Sequence, residues 1–410
     1  MRRLKKTLWT KNFTLVTTAS ALGAVGGIAG GFALSFLVFD ETGSTLASAL
    51  IIAIQLVPYF ILPLFLAPVM DRLPRKPFLV AGDIVDGVLY ALMGFYLIKF
   101  EFSYAAYLGY SLLLACLGSF DELAFQSIYP KLIPEGMEQQ GYAVSTTLYP
   151  ILRVLMLPLA GLLLDAVGAA WILIGQGGLS LMAALVESNI DIKEQRRGDK
   201  GKLFSLRQWC SDIREAAEYL RNERGVTGIF SYMAVTNGVA SGYSSILVAF
   251  FRTFPGFTAA MYSLFSVFEF AGRTLGGAVQ YKLKIAKEKK FGFTFMVYQI
   301  YELMDMCLLW LPYPLMLANR ALVGFLGANS ATMRQAAMQS YIPENLRARL
   351  NAFQNMLITA ASGVFTLAIG ALGEVLDYRL CVTICGATAF IAAWLLVWRR
   401  RADVRKIFEK

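Results

Sequence analysis

The sequence predicts an all-α membrane protein: twelve transmembrane helices in two pseudo-symmetric six-helix halves. Three observations lead there. The 410-residue chain is 57% hydrophobic and 16% charged, with a mean hydropathy of +0.55. A soluble domain carries about a quarter charged residues, so one water-facing core cannot hide this much apolar surface and a bilayer must serve as solvent. Apolar runs of about 20 residues, the length that crosses a bilayer, recur along the whole chain. Finally, two stretches half a chain apart read alike: "AFQSIYPKLIPEGMEQQGYA" from Ala124 to Ala143 and "AMQSYIPENLRARLNA" from Ala337 to Ala352.

Taken in order, the apolar runs fall at 13–39, 45–70, 77–98, 103–128, 139–164, 168–188, 226–251, 258–281, 290–311, 314–335, 349–373 and 377–398. The first is too long for the core of a cleavable signal peptide, and others follow it. It contains "GAVGGIAGG", whose small residues let helices approach closely or form a flexing cavity wall. The ninth and tenth runs are parted only by "LPYP", where proline enforces a break.

The basic residues identify which ends face the cytoplasm. With both termini inside, most of the 38 Lys and Arg residues collect on one side. They lie in the N-terminal segment, around Arg72 to Lys76, between Lys193 and Arg224, between Lys282 and Lys290, and in the tail "WRRRADVRKIFEK". The other side holds Lys99, Arg252 and Arg379. This positive-inside asymmetry sets the orientation and explains the net charge of +10 without any nucleic-acid partner. Trp9, Trp171, Trp310, Trp394 and Trp398 sit near span ends, where an amphipathic ring is at home.

Three segments follow: 1–188 as one six-helix half, 189–225 as a cytoplasmic linker, and 226–410 as the second half. The linker repeats apolar residues at helical spacing (Leu203, Leu206, Cys210, Ile213, Ala217, Leu220), which predicts an amphipathic helix along the inner surface. About 35 residues are too few to bury a regulatory core. The two Ile-Pro-Glu turns, at Ile133 and Ile342, join the fourth to the fifth span and the tenth to the eleventh. Equivalent positions in the two halves indicate an ancient parallel duplication, a mark of secondary transporters whose substrate path lies at the repeat interface.

The stretch Gly43 to Val85, with its loop "APVMDRLPRKP", resembles the major facilitator superfamily. That loop is similar to the superfamily's Gly-x-x-x-Asp-Arg-x-Gly-Arg-Arg/Lys signature. Asp71, Arg72, Arg75 and Lys76 match, while Ala67 and Pro74 replace the two glycines. The resemblance implies that Asp71 acts as a cytoplasmic lock between the halves, with Arg72 and Arg75 as ionic partners. Lys76 alone reads more simply as a topogenic charge. The equivalent loop "YKLKIAKEKKFG" keeps the bases without the acid. "GSTLASA", the Ile-Pro-Glu turn and "SDIREAAEYLRNERG" are similar to the multidrug and siderophore exporter branch, which includes macrolide and enterobactin exporters. In the fifth span "RVLMLPLAGLLLD" is a degraded form of the superfamily's antiporter motif, with Leu157 before Pro158 and Ala160 before Gly161.

Ionisable residues within spans are costly, about 2.5–3.5 kcal/mol each at mid-helix, so each is a functional candidate. Glu269 and Arg273 in the eighth span are four apart, acid first, and share a face. Glu302 and Asp305 share a face of the ninth span. With no base beside them on their own helix their carboxyls are expected to be freer to titrate, which makes them the first choice for proton binding, although Arg153 could reach across from the other half. Arg153 lies deep in the fifth span and Arg320 nearer the outer end of the tenth. Asp83 and Asp86 in the third span, with Asp121 and Glu122 in the fourth, sit nearer the cytoplasm and are expected to pair with Arg72 and Arg75.

The absence of histidine removes imidazole metal sites and leaves Asp and Glu as proton carriers. Five cysteines without a Cys-x-x-Cys spacing read as small hydrophobes. No G-x-x-x-x-G-K-[ST] loop supports ATP hydrolysis, and no nucleophile–base set supports an intramembrane enzyme. The expectation is a monomeric, cofactor-free, proton-coupled exporter of a small amphipathic molecule, working by alternating access in a bacterial plasma membrane. An importer or lipid flippase of the same architecture is the alternative, with a membrane sensor further off. The 29 Phe and 19 Tyr residues suit apolar ligands, though most serve packing.

Overall fold

The computed structural model describes residues 7–70, 74–192, 206–282 and 285–409. Asp71 and Arg72 of the signature loop, and Leu203 of the linker, lie outside the described residues. The described chain is helical, with no strand among those residues. Its helices gather into two compact units.

The first unit comprises Met1–Thr42, Ile54–Phe204 and Thr258–Ser263. Its helices are α1 (Lys11–Thr42), most of α2 (Thr45–Met70), α3 (Arg75–Lys99), α4 (Tyr104–Leu132) and α5 (Glu138–Ser188). The fifth and sixth expected spans both lie in α5, broken at Gly168, whose φ of 80° is a left-handed conformation that favours glycine. The glycine run of α1 has two faces. A Cβ on Gly26 or Gly30 would strike Gln176 of α5, whereas Gly23, Gly27 and Gly31 have nothing within 4 Å. Close packing explains the first pair, and the other three border open space. On α3 and α5, Gly87 and Gly177 face each other so closely that a Cβ on Gly177 would lie 2.5 Å from the Gly87 carbonyl oxygen. Phe13, Leu79, Ile128, Tyr129 and Ile190 form a buried apolar cluster within the unit.

The second unit comprises Gly43–Ala53, Ser205–Phe257 and Leu264–Lys410. It holds α6 (Leu206–Asn222), α7 (Arg224–Thr253), α8 (Ala259–Lys282), α9 (Lys287–Cys307), α10 (Tyr313–Tyr341), α11 (Glu344–Gly373), α12 (Tyr378–Ala392) and α13 (Arg401–Glu409). Glycines again mark the closest helix approaches. Gly238 and Gly242 of α7 meet Ala361 and Phe365 of α11, and Gly324 of α10 meets the Glu269 carbonyl of α8. The "LPYP" link is a break: α9 ends in a single 3-10 turn at Leu308–Trp310, and Pro312 caps α10.

The units do not follow the six-and-six division of the chain. The first residues of α2 belong to the second unit because Gly370 packs on Thr45 and Ala49. Glu374, at the end of α11, also accepts from Leu46 N at 2.8 Å and Ser44 Oγ at 2.7 Å. The start of α8 belongs to the first unit because Tyr262 stacks on Phe32 and meets Phe36 edge-on, and Ala260 lies against Gly161.

Both Ile-Pro-Glu turns are sharp helix junctions, α4 to α5 and α10 to α11. Each isoleucine is buried, Ile133 and Ile342, and each turn is tied across by a hydrogen bond. Tyr129 Oη donates to the Gly141 carbonyl at 2.7 Å, and Gln339 Nε2 donates to Asn351 Oδ1 at 3.3 Å. The linker helix α6 forms as its spacing predicts. Leu220 is buried in the second unit, Arg349 pairs with Glu215 at 2.5 Å, and Tyr341 Oη donates to Glu223 at 3.0 Å. The basic tail is folded as well. It winds into α13, whose Val404, Ile407 and Phe408 are buried with Val226, Ile229 and Phe291.

Among the described residues, eight helical stretches are long and apolar enough to cross a membrane, one of which runs across the two spans of α5. The helices α8, α9 and α10 fall short of that measure. They carry Glu269, Arg273, Glu302, Asp305, Arg320 and Arg334, the side chains that build the site described next.

Candidate functional site

A cavity of about 270 Å³ lies inside the second unit, walled by α7, α8, α9, α10 and α12. Helical spacing assembles it. On α9, Tyr298, Tyr301, Glu302 and Asp305 follow the i, i+3, i+4, i+7 rule and present one face. Tyr232, Thr236 and Tyr243 do so on α7, as do Gly327, Ser330 and Arg334 on α10. Two glycines make room: Gly327 at the wall itself, and Gly386 of α12, where a Cβ would lie 3.1 Å from the Glu302 carbonyl oxygen.

Each charge in this cavity has its own circumstances. Arg320 of α10 pairs with Asp305, both buried, and also reaches Tyr243 Oη at 3.3 Å and Asn319 Oδ1 at 3.0 Å. Asn319 in turn donates to the Met304 carbonyl at 2.8 Å. Arg273 donates to Glu269 Oε1 from Nη2 at 2.6 Å and from Nε at 3.0 Å, a more exposed pair along α8. Glu302 is 3% exposed and accepts from Tyr232 Oη at 3.3 Å. Arg334 donates from Nη1 to Tyr298 Oη at 3.2 Å, and its Nε is buried without an acceptor. The Tyr232 and Tyr298 rings lie 4.6 Å apart between these two charges.

This corrects one expectation. Glu302 and Asp305 are not an equivalent pair free of bases. Arg320 reaches Asp305 from the neighbouring helix, so only Glu302 lacks an ion-pair partner among the described residues. Spacing along α9 showed no base beside this pair because the base stands on α10.

The first unit gathers acids. Asp83 and Asp86 of α3, Asp121 of α4 and Glu187 at the end of α5 lie within electrostatic reach of one another. Ser180 Oγ donates to Asp86 at 3.1 Å, and Gln126 donates to the exposed Glu122. Asp121 Oδ1 and Glu187 Oε2 are buried without a donor. Asp83, Asp86, Asp121 and Glu122 were expected to pair with Arg72 and Arg75, and among the described residues these four acids form no ion pair. Lys76 instead donates to the Ser188 carbonyl at 2.7 Å, joining the ends of α3 and α5. Arg153 is exposed on α5.

Sequence reading missed Glu187, Arg334 and the tyrosines. Glu187 sits at the edge of an apolar run, yet Gln176, Ser180 and Glu187 fall on one helical face and are all buried, a polar stripe that spacing could have revealed. Arg334 closes a run and resembles a topogenic charge. Its role becomes visible only through Tyr298 on another helix.

A family model described as Major Facilitator Superfamily matches residues 11–299 and 303–409. Solved structures with the same fold include the nucleoside transporter NupG, with a TM-score of 0.71 and 12% identity, covering 95% of this chain and 99% of that one. A bacterial homologue of the human lysosomal transporter Spinster, in an inward-facing and unoccupied conformation, gives a TM-score of 0.66 and 13% identity over 97% and 94% of the two chains. A bacterial metal transporter gives 0.67 and 14% identity over 99% and 100%. No curated protein sequence matches significantly.

Proposed function

The chain belongs to the major facilitator superfamily and is a multi-pass membrane transporter, and from that premise we propose that it is a secondary active exporter that exchanges a small amphipathic compound for protons by alternating access. The observation that carries this reading is Glu302: a carboxylate 3% exposed, in a cavity, held by a single tyrosine hydroxyl and no base among the described residues. An unpaired buried carboxylate is expensive when charged and cheap when protonated. Alternating access changes its exposure to water, so its proton is taken up in one state and released in the other. Asp305, paired with Arg320, serves to build the site and not to carry the proton. Glu269 is likewise engaged by Arg273.

The signature loop completes the reading. Asp71 closes the cytoplasmic side in one state, with Arg72 and Arg75 as partners, and Asp71→Asn is expected to leave the protein inserted while impairing transport. Both termini lie in the cytoplasm of a bacterial cell. Single cysteines on a cysteine-free background should be protected from impermeant reagent at Lys200 and labelled at Pro255.

The substrate is identified by growth of overexpressing and deleted cells against a compound panel, and coupling by substrate-dependent proton movement in vesicles. Glu302→Gln should abolish that movement at normal expression, whereas coupled movement equal to wild type would remove Glu302 from the mechanism.

A further inference from the structure

The cavity also carries information about its ligand, if the transporter reading above is taken as the ground. Four charged side chains line it: Arg273, Glu302, Asp305 and Arg334. Two are already compensated, Arg273 by Glu269 and Asp305 by Arg320. One acid and one base remain, Glu302 and Arg334. They do not pair with each other, and neither has an ion-pair partner among the described residues. Each holds a tyrosine hydroxyl, Tyr232 for the acid and Tyr298 for the base, and the two rings stand 4.6 Å apart. A guanidinium has five N–H donors in a planar fork suited to a carboxylate or phosphate, and the buried Nε of Arg334 has no acceptor. Residual charges of opposite sign, set in one cavity beside aromatic rings, are complementary to a ligand that brings both signs itself. At about 270 Å³ the cavity is just below the usual range for drug-sized ligands, which begins near 300 Å³, so the ligand body is small.

We propose that this cavity binds a small zwitterion with an aromatic body, its anionic group on Arg334, its cationic group on Glu302, and its ring against Tyr232 and Tyr298. A cation alone would leave Arg334 an unpaired buried charge. An anion alone would leave Glu302 to take up a proton, without the ion pair that a ligand's cationic group gives it.

Three probes with one phenyl ring separate the possibilities: phenylalanine (zwitterion), phenethylamine (cation) and 3-phenylpropionate (anion). Binding to the purified full-length protein in detergent is read by titration calorimetry, with no gradient present. Phenylalanine is expected to bind roughly tenfold or more tightly than either relative, since each relative forgoes one of the two ion pairs. In Arg334→Gln phenylalanine should fall to the level of phenethylamine, and Arg334→Lys should restore part of the difference. In Glu302→Gln it should fall to the level of 3-phenylpropionate. Equal affinities for the three probes, a tighter cation or anion, an unchanged ranking in Arg334→Gln, or no binding of any probe at about 50 mM would each overturn the proposal. The wild-type ranking decides even where a variant fails to fold. Wild-type vesicles without proton movement would remove the coupled exporter and leave this site standing, so the two readings fail separately.

Discussion

In the first unit, carboxylates from three helices feel one another's charge: Asp83, Asp86, Asp121 and Glu187, with Ser180 donating to Asp86. In the second unit, carboxylates face bases or hydroxyls: Asp305 faces Arg320, Glu269 faces Arg273, and Glu302 faces Tyr232. Both units bury acids, yet the electrostatics are opposed. Neutralising an acid relieves repulsion in the first unit, whereas neutralising Asp305 or Glu269 strands a base in the second. Burial alone therefore does not say what a buried acid does. The sign of its nearest charged neighbour does.

The sharpest break of this comparison is Arg320→Gln, which strands Asp305 in the second unit. The expected loss is about 3–5 kcal/mol, read as a large fall in the melting temperature of the purified protein. Arg320→Gln combined with Asp305→Asn should recover much of it, and an equal loss in both variants would mean that packing, not charge, holds the site. Packing offers the next test. Gly324→Ala would drive a Cβ into the Glu269 carbonyl oxygen, at an expected cost of about 1–3 kcal/mol. Gly27→Ala in the first unit meets nothing within 4 Å and should be neutral or stabilising by up to about 1 kcal/mol. Similar melting temperatures for these two variants would contradict the helix approaches described above.

Glu187→Gln tests the first unit directly. Removing one of several like charges should leave stability unchanged or raise it by up to about 1 kcal/mol, opposite in sign to Asp305→Asn. A fall of several kcal/mol would show that Glu187 holds a base. The smallest effect lies outside the spans, at Glu374. Burial raises its pKa, but hydrogen bonds from the Leu46 N–H and from the Ser44 and Thr45 hydroxyls outweigh burial and leave it lowered. A lowered folded pKa stabilises above the ordinary glutamate value of about 4.3, and that contribution is lost as pH falls through the folded pKa. Melting temperatures of wild type and Glu374→Gln should therefore differ at neutral pH and converge on acidification, and a constant gap would exclude the carboxylate as the cause.

Much of the fold was legible in the residues. The apolar runs located the helices, the Ile-Pro-Glu repeats located two matching junctions, and the spacing of Leu206 to Leu220 located the linker helix. The Glu269–Arg273 pair was legible because both partners lie on one helix. The Asp305–Arg320 pair was not, nor was the role of Arg334, because their partners stand on different helices. The acids of the first unit were visible as a group, but their expected bases were inferred from nearness along the chain.

By itself the sequence determined everything governed by short range and by solvent: the all-helical class, because lipid leaves no partner for an open backbone, the family signature at Asp71, Arg72, Arg75 and Lys76, and the helical face that carries Glu302 and Asp305. Tertiary structure decided which of those faces meet. It assigned Arg320 to Asp305, left Glu302 and Arg334 with tyrosines for company, moved the start of α2 onto α11 through Glu374, and folded the basic tail into α13 against Val226 and Phe291. The physical reason is range. Periodicity specifies which direction a side chain points from its own helix, whereas the charge it meets depends on packing between helices many residues apart.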